Sequence, residues 1–440
     1  MMLKKQYLAL AAVMTPALLI VGCATQPANK PVRQPNVQIS KPIPAKPRPI
    51  IIEETTVIKP TPKPQPAPQA SYRSFEDWKS DFSMRAIASG FNTYDVQRLL
   101  AGASLNSQAI SSDNNQAEFV KMPWDYADSA VSDGRVSRGQ GKFAEQRSLL
   151  NSLESRYGVD AGVIAAIWGM ESSFGAVTGS SYLPSSLGSL AYDGRRRDFA
   201  ESQLTSLLTL LNRGDVSWSQ LDGSWAGGMG QTQFIPATWL EQGVDGDGDG
   251  HRNPWATADA LASTANYLNS AGWVRGLKPF YEVRLPASFD YRAASSKRSF
   301  SDWRALGVNP IDGAYVDAGA MLELWLPAGK DGPALLTSRN FDAIKVYNNS
   351  SNYALGVSLL AKALKGESGL IQSWPRYERP LSTMQVTNLQ QRLTSAGFDT
   401  KGADGVIGTN TRNAFARWQA ANGQTPDGFI TQRSAAQLIW

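Results

Sequence analysis

The sequence predicts a mainly α-helical protein, and three observations carry that prediction. From "SFEDWKSDFSMRAIASG" onward, apolar residues recur at three- and four-residue spacing, with Gly, Asn and Asp as turn formers between segments. No long series of alternating strand patterns precedes "FYEVRLPASF" near residue 280. The helical pattern restarts after "SWPRYERPLS" and runs through the last 60 or so residues. A chain of 440 residues that is 42% hydrophobic and 10% aromatic has the material for about two or three packed domains.

The first element is an address. "MMLKKQYLALAAVMTPALLIVGCATQ" sets Lys4 and Lys5 before an apolar run from Tyr7 to Val21, followed by Gly22 and Cys23. A basic start, a short apolar run and a small residue before the cut describe a secretory signal, and the run is short of the roughly 20 residues of a membrane span. "IVGC" resembles a bacterial lipobox, which implies a signal peptide over 1–22 and lipid attachment at Cys23; the alternative is an ordinary signal with an incidental cysteine. Ala24, standing where an aspartate does not, implies by resemblance to sorted lipoproteins a lipid anchor on the periplasmic side of the outer membrane.

The second element, through residue 72, reads as a tether. Residues 24–72 hold 12 of the 25 prolines, which favours extended polyproline conformations and gives no core to bury. At about 3.1 Å per residue, such a stretch reaches on the order of 150 Å when fully extended. It also carries the charge. Seven basic residues stand there against Glu53 and Glu54, and Lys4 and Lys5 add two more. The formal +5 of the chain therefore lies outside residues 73–440, which hold 34 basic against 36 acidic residues, and a nucleic-acid partner is not expected.

One cysteine, Cys23, and one histidine, His251, leave no intramolecular disulfide and no multi-histidine or thiolate zinc site. They also set aside Ser-His-Asp and Cys-His catalysis, so the chemistry falls to carboxylates, hydroxyls, amides, lysines or arginines.

The central helix is predicted to start at Asp160, an N-cap residue in "YGVDAGVIAAIWGMESSFG", and to close at Phe174 and Gly175. Val163, Ile167 and Glu171 stand four apart, so a glutamate continues an apolar stripe. A carboxylate in that setting is partly desolvated, which raises its pKa toward the range of a general acid. A helix-end glutamate paired with an arginine is the alternative.

"IWGMESSFG", then "AYDGRRRDFAESQL", then "SWAGGMGQTQFIPATW" together resemble the catalytic core of lytic murein transglycosylases of the membrane-bound B type, over roughly residues 73–375. The resemblance implies a lysozyme-like fold and makes Glu171 the single catalytic carboxylate. That group would first protonate the glycosidic oxygen and then act as base on the C6 hydroxyl, closing a 1,6-anhydro ring, whereas ordinary glycoside hydrolysis needs two carboxylates. It also implies that Ser224 and Gln233 line the cleft, that Tyr267, Tyr347, Asn348 and Tyr353 contact the sugars, with Asn348 or Tyr353 alternatively holding Glu171 or the transition state, and that Arg196 is a weak contact to substrate carboxylates. No cofactor is required. A tight glycine turn, buried core tyrosines and a surface charge run are the respective alternatives.

"VDGDGDGHRNPWATADAL" sets Asp245, Asp247 and Asp249 at alternating positions, with Gly250 at the sixth place and the carbonyl of His251 at the seventh, as in an EF-hand-like oxygen cage. Ala256 stands where a glutamate is wanted, and Asp259 matches the later aspartate with which some relatives close the loop. A structural Ca2+ site and an empty Asp-Gly turn loop both fit.

In the last 60 residues Val386, Leu389 and Leu393 form one helix face, Phe415 and Trp418 mark a second helix, and a third follows Gly428. "LQQRL", "AGF", "DGVIG" with Thr411, "ARWQ" and "DGF" resemble the peptidoglycan-binding type 1 domain, a three-helix module, here over 381–440. The parts imply peptidoglycan glycan strands as partner, with cell-wall synthesis complexes as further candidates. A non-catalytic wall-binding lipoprotein is the alternative from another class. A lysozyme-like hydrolase is the third reading, and it needs a second carboxylate, for which Asp198 and Glu201 are available.

Overall fold

The computed structural model describes residues 72–114, 122–294 and 296–439. The expected signal, the lipidated Cys23 and nearly all of the proline-rich tether lie outside them.

Helices dominate, because the apolar spacing lets each bury a face. A first lobe packs helices Phe75–Ala88, Thr93–Ala101, Leu183–Asp193, Arg197–Arg213 and Pro236–Gln242 around Trp78, Phe82, Leu187, Leu207 and Trp239. Side chains fix the starts of its helices: Ser74 Oγ accepts from Asp77 N at 3.1 Å and Asn92 Oδ1 from Tyr94 N at 2.8 Å.

A second lobe surrounds the helix Ala161–Ser172, which packs on Ser351–Leu364, Thr257–Ser270, Arg147–Tyr157 and Asp133–Glu145. Asp160 caps it, its Oδ1 accepting from Val163 N at 3.1 Å. Every residue from Ala161 to Gly169 is buried, so the stripe through Val163 and Ile167 is one side of a helix that is apolar all round. Glu171, half-buried, marks where that helix emerges.

The sheet is what the sequence reading passed over. Beyond the strand at Phe280–Arg284, four more form a five-stranded antiparallel sheet in the order Lys297–Ser299, Met321–Trp325, Ala334–Thr337, Phe280–Arg284, Asn309–Pro310. Leu336 stands at its centre, opposite Tyr281 on one side and Leu324 on the other, over a core that includes Trp303 and Phe300.

The carboxy-terminal helices Thr383–Ser395, Thr409–Ala421 and Ala436–Ile439 enclose Leu389, Leu393, Phe415 and Trp418. One device is used twice. Gln390 donates to Asp404 Oδ1 at 2.9 Å and accepts from Gly405 N at 2.9 Å, while Gln419 donates to Asp427 Oδ1 at 3.0 Å and accepts from Gly428 N at 2.8 Å. Each glutamine on a helix thus holds the Asp-Gly turn that leads to the next helix, which is why a helical glutamine followed by "DG" recurs. The module docks on the larger body: Phe429 meets Trp124 at 6.4 Å between ring centroids, Lys330 N donates to Asp427 at 3.0 Å, and Arg433 pairs with the buried Glu378.

Candidate active site

The two helical lobes meet at Tyr347, whose ring packs against both cores. There Tyr353, in the first turn of Ser351–Leu364, donates its hydroxyl to Glu171 Oε1 at 2.5 Å. Burial pushes the Tyr353 phenol well above its ordinary range, and the Glu171 charge pushes it further, so the hydroxyl keeps its proton and serves as a donor. Tyr347 is raised for the same first reason, with its hydroxyl on Thr264 Oγ1 at 2.8 Å. Glu171 is the carboxylate whose charge both tyrosines feel.

Tyr267, Tyr347 and Phe234 form a triangle of rings with centroids 5.3 to 5.5 Å apart, and the Tyr267 hydroxyl donates to Val346 O at 3.3 Å. Apolar ring faces beside hydroxyls suit a sugar. Asn348, half-buried, lies just ahead of the Tyr353 helix, one residue beyond Tyr347.

The chain behind Glu171 turns sharply. Ser173, Phe174 and Gly175 have φ of 52°, 62° and 81°, and left-handed non-glycine residues cost on the order of 1–3 kcal/mol each. Packing holds them there. The Phe174 ring meets Trp168 edge-on at 5.6 Å and covers Gly169, where a Cβ would collide with it. Ser172 Oγ accepts from Gly175 N at 2.8 Å and donates to Gln231 O at 2.5 Å, which pins the glycine-rich hairpin to the Glu171 helix.

In that hairpin Ser224 Oγ accepts from Gly228 N at 2.8 Å, and both Ser224 Oγ and Gln233 Oε1 crowd the place where a Gly228 Cβ would stand. Gln233, with φ of 52°, donates through Nε2 to Thr178 O at 2.9 Å and Gly230 O at 2.8 Å, leaving Oε1 toward Ser224. Gly230 has φ of 64° and lies so close to the Pro254 carbonyl that no side chain fits.

Arg196 is otherwise engaged. Its Nη1 donates to Asp113 Oδ1 at 3.1 Å and its guanidinium lies 4.2 Å from the Phe199 ring, while Arg195 pairs with the other oxygen of the buried Asp113. A substrate carboxylate would have to compete with Asp113 for it. Of the second-carboxylate candidates, Glu201 bonds Arg85 at 2.7 Å and Trp78 Nε1 at 2.9 Å, and Asp198 is exposed in the first turn of Arg197–Arg213.

The aspartate loop gathers a different trio from the alternating one in the sequence. Asp245, Asp247 and Asp259 bring one oxygen each within 4.8 Å of one another. Asp249 is not among the three, and its Oδ1 accepts from His251 N at 2.8 Å. The N–H groups of Gly250 and Gly248 hold Asp245 below the ordinary carboxylate range, whereas burial, and then Asp247 and Asp245, push the fully buried Asp259 up against the N–H groups of Gly246 and Asn253. An all-oxygen, carboxylate-rich cage fits a hard cation such as Ca2+.

Sequence reasoning missed Gln231, which bonds Trp168 and Ser172 on the Glu171 helix, and Thr264 and Phe234, which touch Tyr347. Two glutamines in "GQTQF" were one signal available for the first of them.

Residues 74–362 match the family described as Transglycosylase SLT domain, about two thirds of the chain. The chain belongs to this family. Its core therefore has the lysozyme-like SLT fold, and residues 382–438 match the family described as Putative peptidoglycan binding domain. Membrane-bound lytic murein transglycosylase B of Escherichia coli K12 is 30% identical over 285 residues, 62% of this chain and 79% of that protein. SltB3 from Pseudomonas aeruginosa in complex with NAG-anhNAM-pentapeptide is 42% identical with a TM-score of 0.80, over 83% of this chain and all of that one. The lytic transglycosylase SLT35 of Escherichia coli in complex with calcium is 27% identical with a TM-score of 0.57, over 66% of this chain and 92% of that one. The protein is thus a lytic transglycosylase, an enzyme that acts on peptidoglycan and cleaves between N-acetylmuramic acid and N-acetylglucosamine.

Proposed function

We propose that Glu171 is the single acid/base of this enzyme and that its products end in 1,6-anhydromuramic acid. The protonated carboxyl gives its proton to the glycosidic oxygen as the bond from that oxygen to C1 of muramic acid breaks. The resulting carboxylate takes the C6 hydroxyl proton while O6 bonds to C1, so the proton returns to Glu171 and no water enters the product. The observation that carries this reading is the 2.5 Å bond from the buried Tyr353 hydroxyl to Glu171 Oε1. A neutral donor fixes the orientation of the carboxyl while adding no charge to it.

Ser224, Gln233, Tyr267, Tyr347 and Asn348 are read as the sugar-contacting groups. Asp245, Asp247 and Asp259 are read as a structural calcium site, supported by their shared all-oxygen cage and by calcium in the related SLT35 structure. Residues 1–22 are read as a lipoprotein signal, Cys23 as the anchor to the outer membrane, 23–72 as the tether, 73–375 as the catalytic domain and 381–440 as the wall-binding domain. The "membrane-bound" relative supports the anchor, and among the described residues no helix is long and apolar enough to cross a membrane. Cell-wall synthesis complexes remain candidate partners.

Glu171→Gln keeps the shape of the side chain and removes the transferable proton. It is expected to abolish release of muropeptides from purified sacculi while sacculus binding persists. Turnover retained in that variant contradicts the assignment.

A further inference from the structure

Gln231 lies outside the groups read above as touching the sugar, yet it joins three segments. Its Oε1 accepts from Trp168 Nε1 at 2.9 Å, on the Glu171 helix. Its Nε2 donates to Trp255 O at 2.7 Å and to Thr257 Oγ1 at 2.8 Å, on the chain leaving the aspartate loop. Its backbone is held as well, with N donating to Pro254 O at 2.9 Å and O receiving Ser172 Oγ at 2.5 Å. Both amide hydrogens and the amide oxygen are used, so the side chain has one orientation. Two residues later the same hairpin carries Gln233.

We propose that Gln231 is a positioning residue for the reaction: it clamps the Trp168–Ser172 end of the Glu171 helix to the glycine-rich hairpin, and so sets the distance between the acid and the sugar-contacting groups of that hairpin. The proposal rests on the reading of Glu171 as the acid. Its physical basis is the left-handed turn at Ser173 to Gly175, a conformation that persists only where surrounding contacts hold it. Ser172 reaches Gly175 N on one side and Gln231 O on the other. Trp168, bonded to Gln231, backs the Phe174 ring at the middle of the turn. Loss of the amide frees the indole N–H, the Trp255 carbonyl and the Thr257 hydroxyl together, and the turn loses its outer wall.

The test uses the chain without residues 1–23 on soluble peptidoglycan fragments. Gln231→Met keeps the length and removes the hydrogen bonds; Trp168→Phe keeps an aromatic ring and removes the donor at the far end. Misplacement of a reacting group by about 1 Å costs up to about 100-fold in rate. Gln231→Met is therefore expected to lower kcat by about tenfold to 100-fold with KM within about twofold, and Trp168→Phe to lower kcat less and in the same manner. Leu207→Ala, a cavity in the first lobe, serves as the stability control. Should it lower Tm as much as Gln231→Met and kcat as much too, the role is merely structural and the proposal falls. Unchanged kcat in Gln231→Met also overturns it, and if that variant does not fold, Trp168→Phe decides by the same criterion. Glu171→Gln run alongside separates the two claims: active Glu171→Gln removes the acid and this inference with it, whereas inactive Glu171→Gln beside fully active Gln231→Met removes the inference alone.

Discussion

Tyr353 and Glu171 stand 182 residues apart in sequence and 2.5 Å apart in space. A hydrogen bond to a charged group is worth about 1.5–3 kcal/mol, and it favours the charged form of the acceptor. Tyr353→Phe keeps the ring that fills the core and removes only the donor. The expected outcome is a fall in kcat of about tenfold, equivalent to about 1.4 kcal/mol of transition-state stabilisation, measured on soluble fragments. An unchanged kcat contradicts the pairing as a functional one. Residue types at this site were legible: a glutamate ending an apolar helix, tyrosines and neutral amides. Pairings were legible only as a choice, Asn348 or Tyr353 beside Glu171, because the contact between Tyr353 and Glu171 depends on the register of two helices packed across the core. Arg196 shows the converse, an available charge in the sequence that Asp113 claims in the fold.

At the scale of elements, the helices announced themselves through spacing and caps, as at Asp160. Most of the sheet did not. Its strands run two to five residues, and Ala334–Thr337 is buried throughout, so it shows a short apolar run in place of alternation. The aspartate loop was legible as an acidic turn, yet its trio was set by folding: the Thr257–Ser270 helix brings buried Asp259 under the loop while Asp249 turns to His251 N. Three carboxylates drawn within 4.8 Å repel one another, and a bound cation relieves that. Calcium at about 100 times its Kd is expected to stabilise the fold by about 2.7 kcal/mol, read as a rise in Tm over a chelated sample. Asp259→Asn is expected to erase the calcium-dependent part of that rise. A Tm indifferent to calcium in the unaltered protein contradicts the site.

At the scale of the molecule, a catalytic body of two helical lobes and a sheet carries the small three-helix module docked on its side. Trp124, Trp374, Ala328 and Phe429 share one apolar cluster at that seam, and Arg433 reaches Glu378 across it. Module and body are therefore packed partners, and removal of the module uncovers Trp124 and Trp374. The sequence made both parts legible through local motifs, since "DGVIG" and "ARWQ" act within a few turns of chain. The seam was illegible because it is made by residues scattered from 122 to 433. What unites these parts is one reaction on peptidoglycan, and its product discriminates the single-carboxylate mechanism from hydrolysis. The decisive measurement is mass spectrometry of muropeptides released from purified sacculi by the chain lacking residues 1–23. Products lighter by one water than their reducing counterparts are predicted, as 1,6-anhydromuramic ends require; reducing ends would contradict a lone Glu171 and call for a second carboxylate.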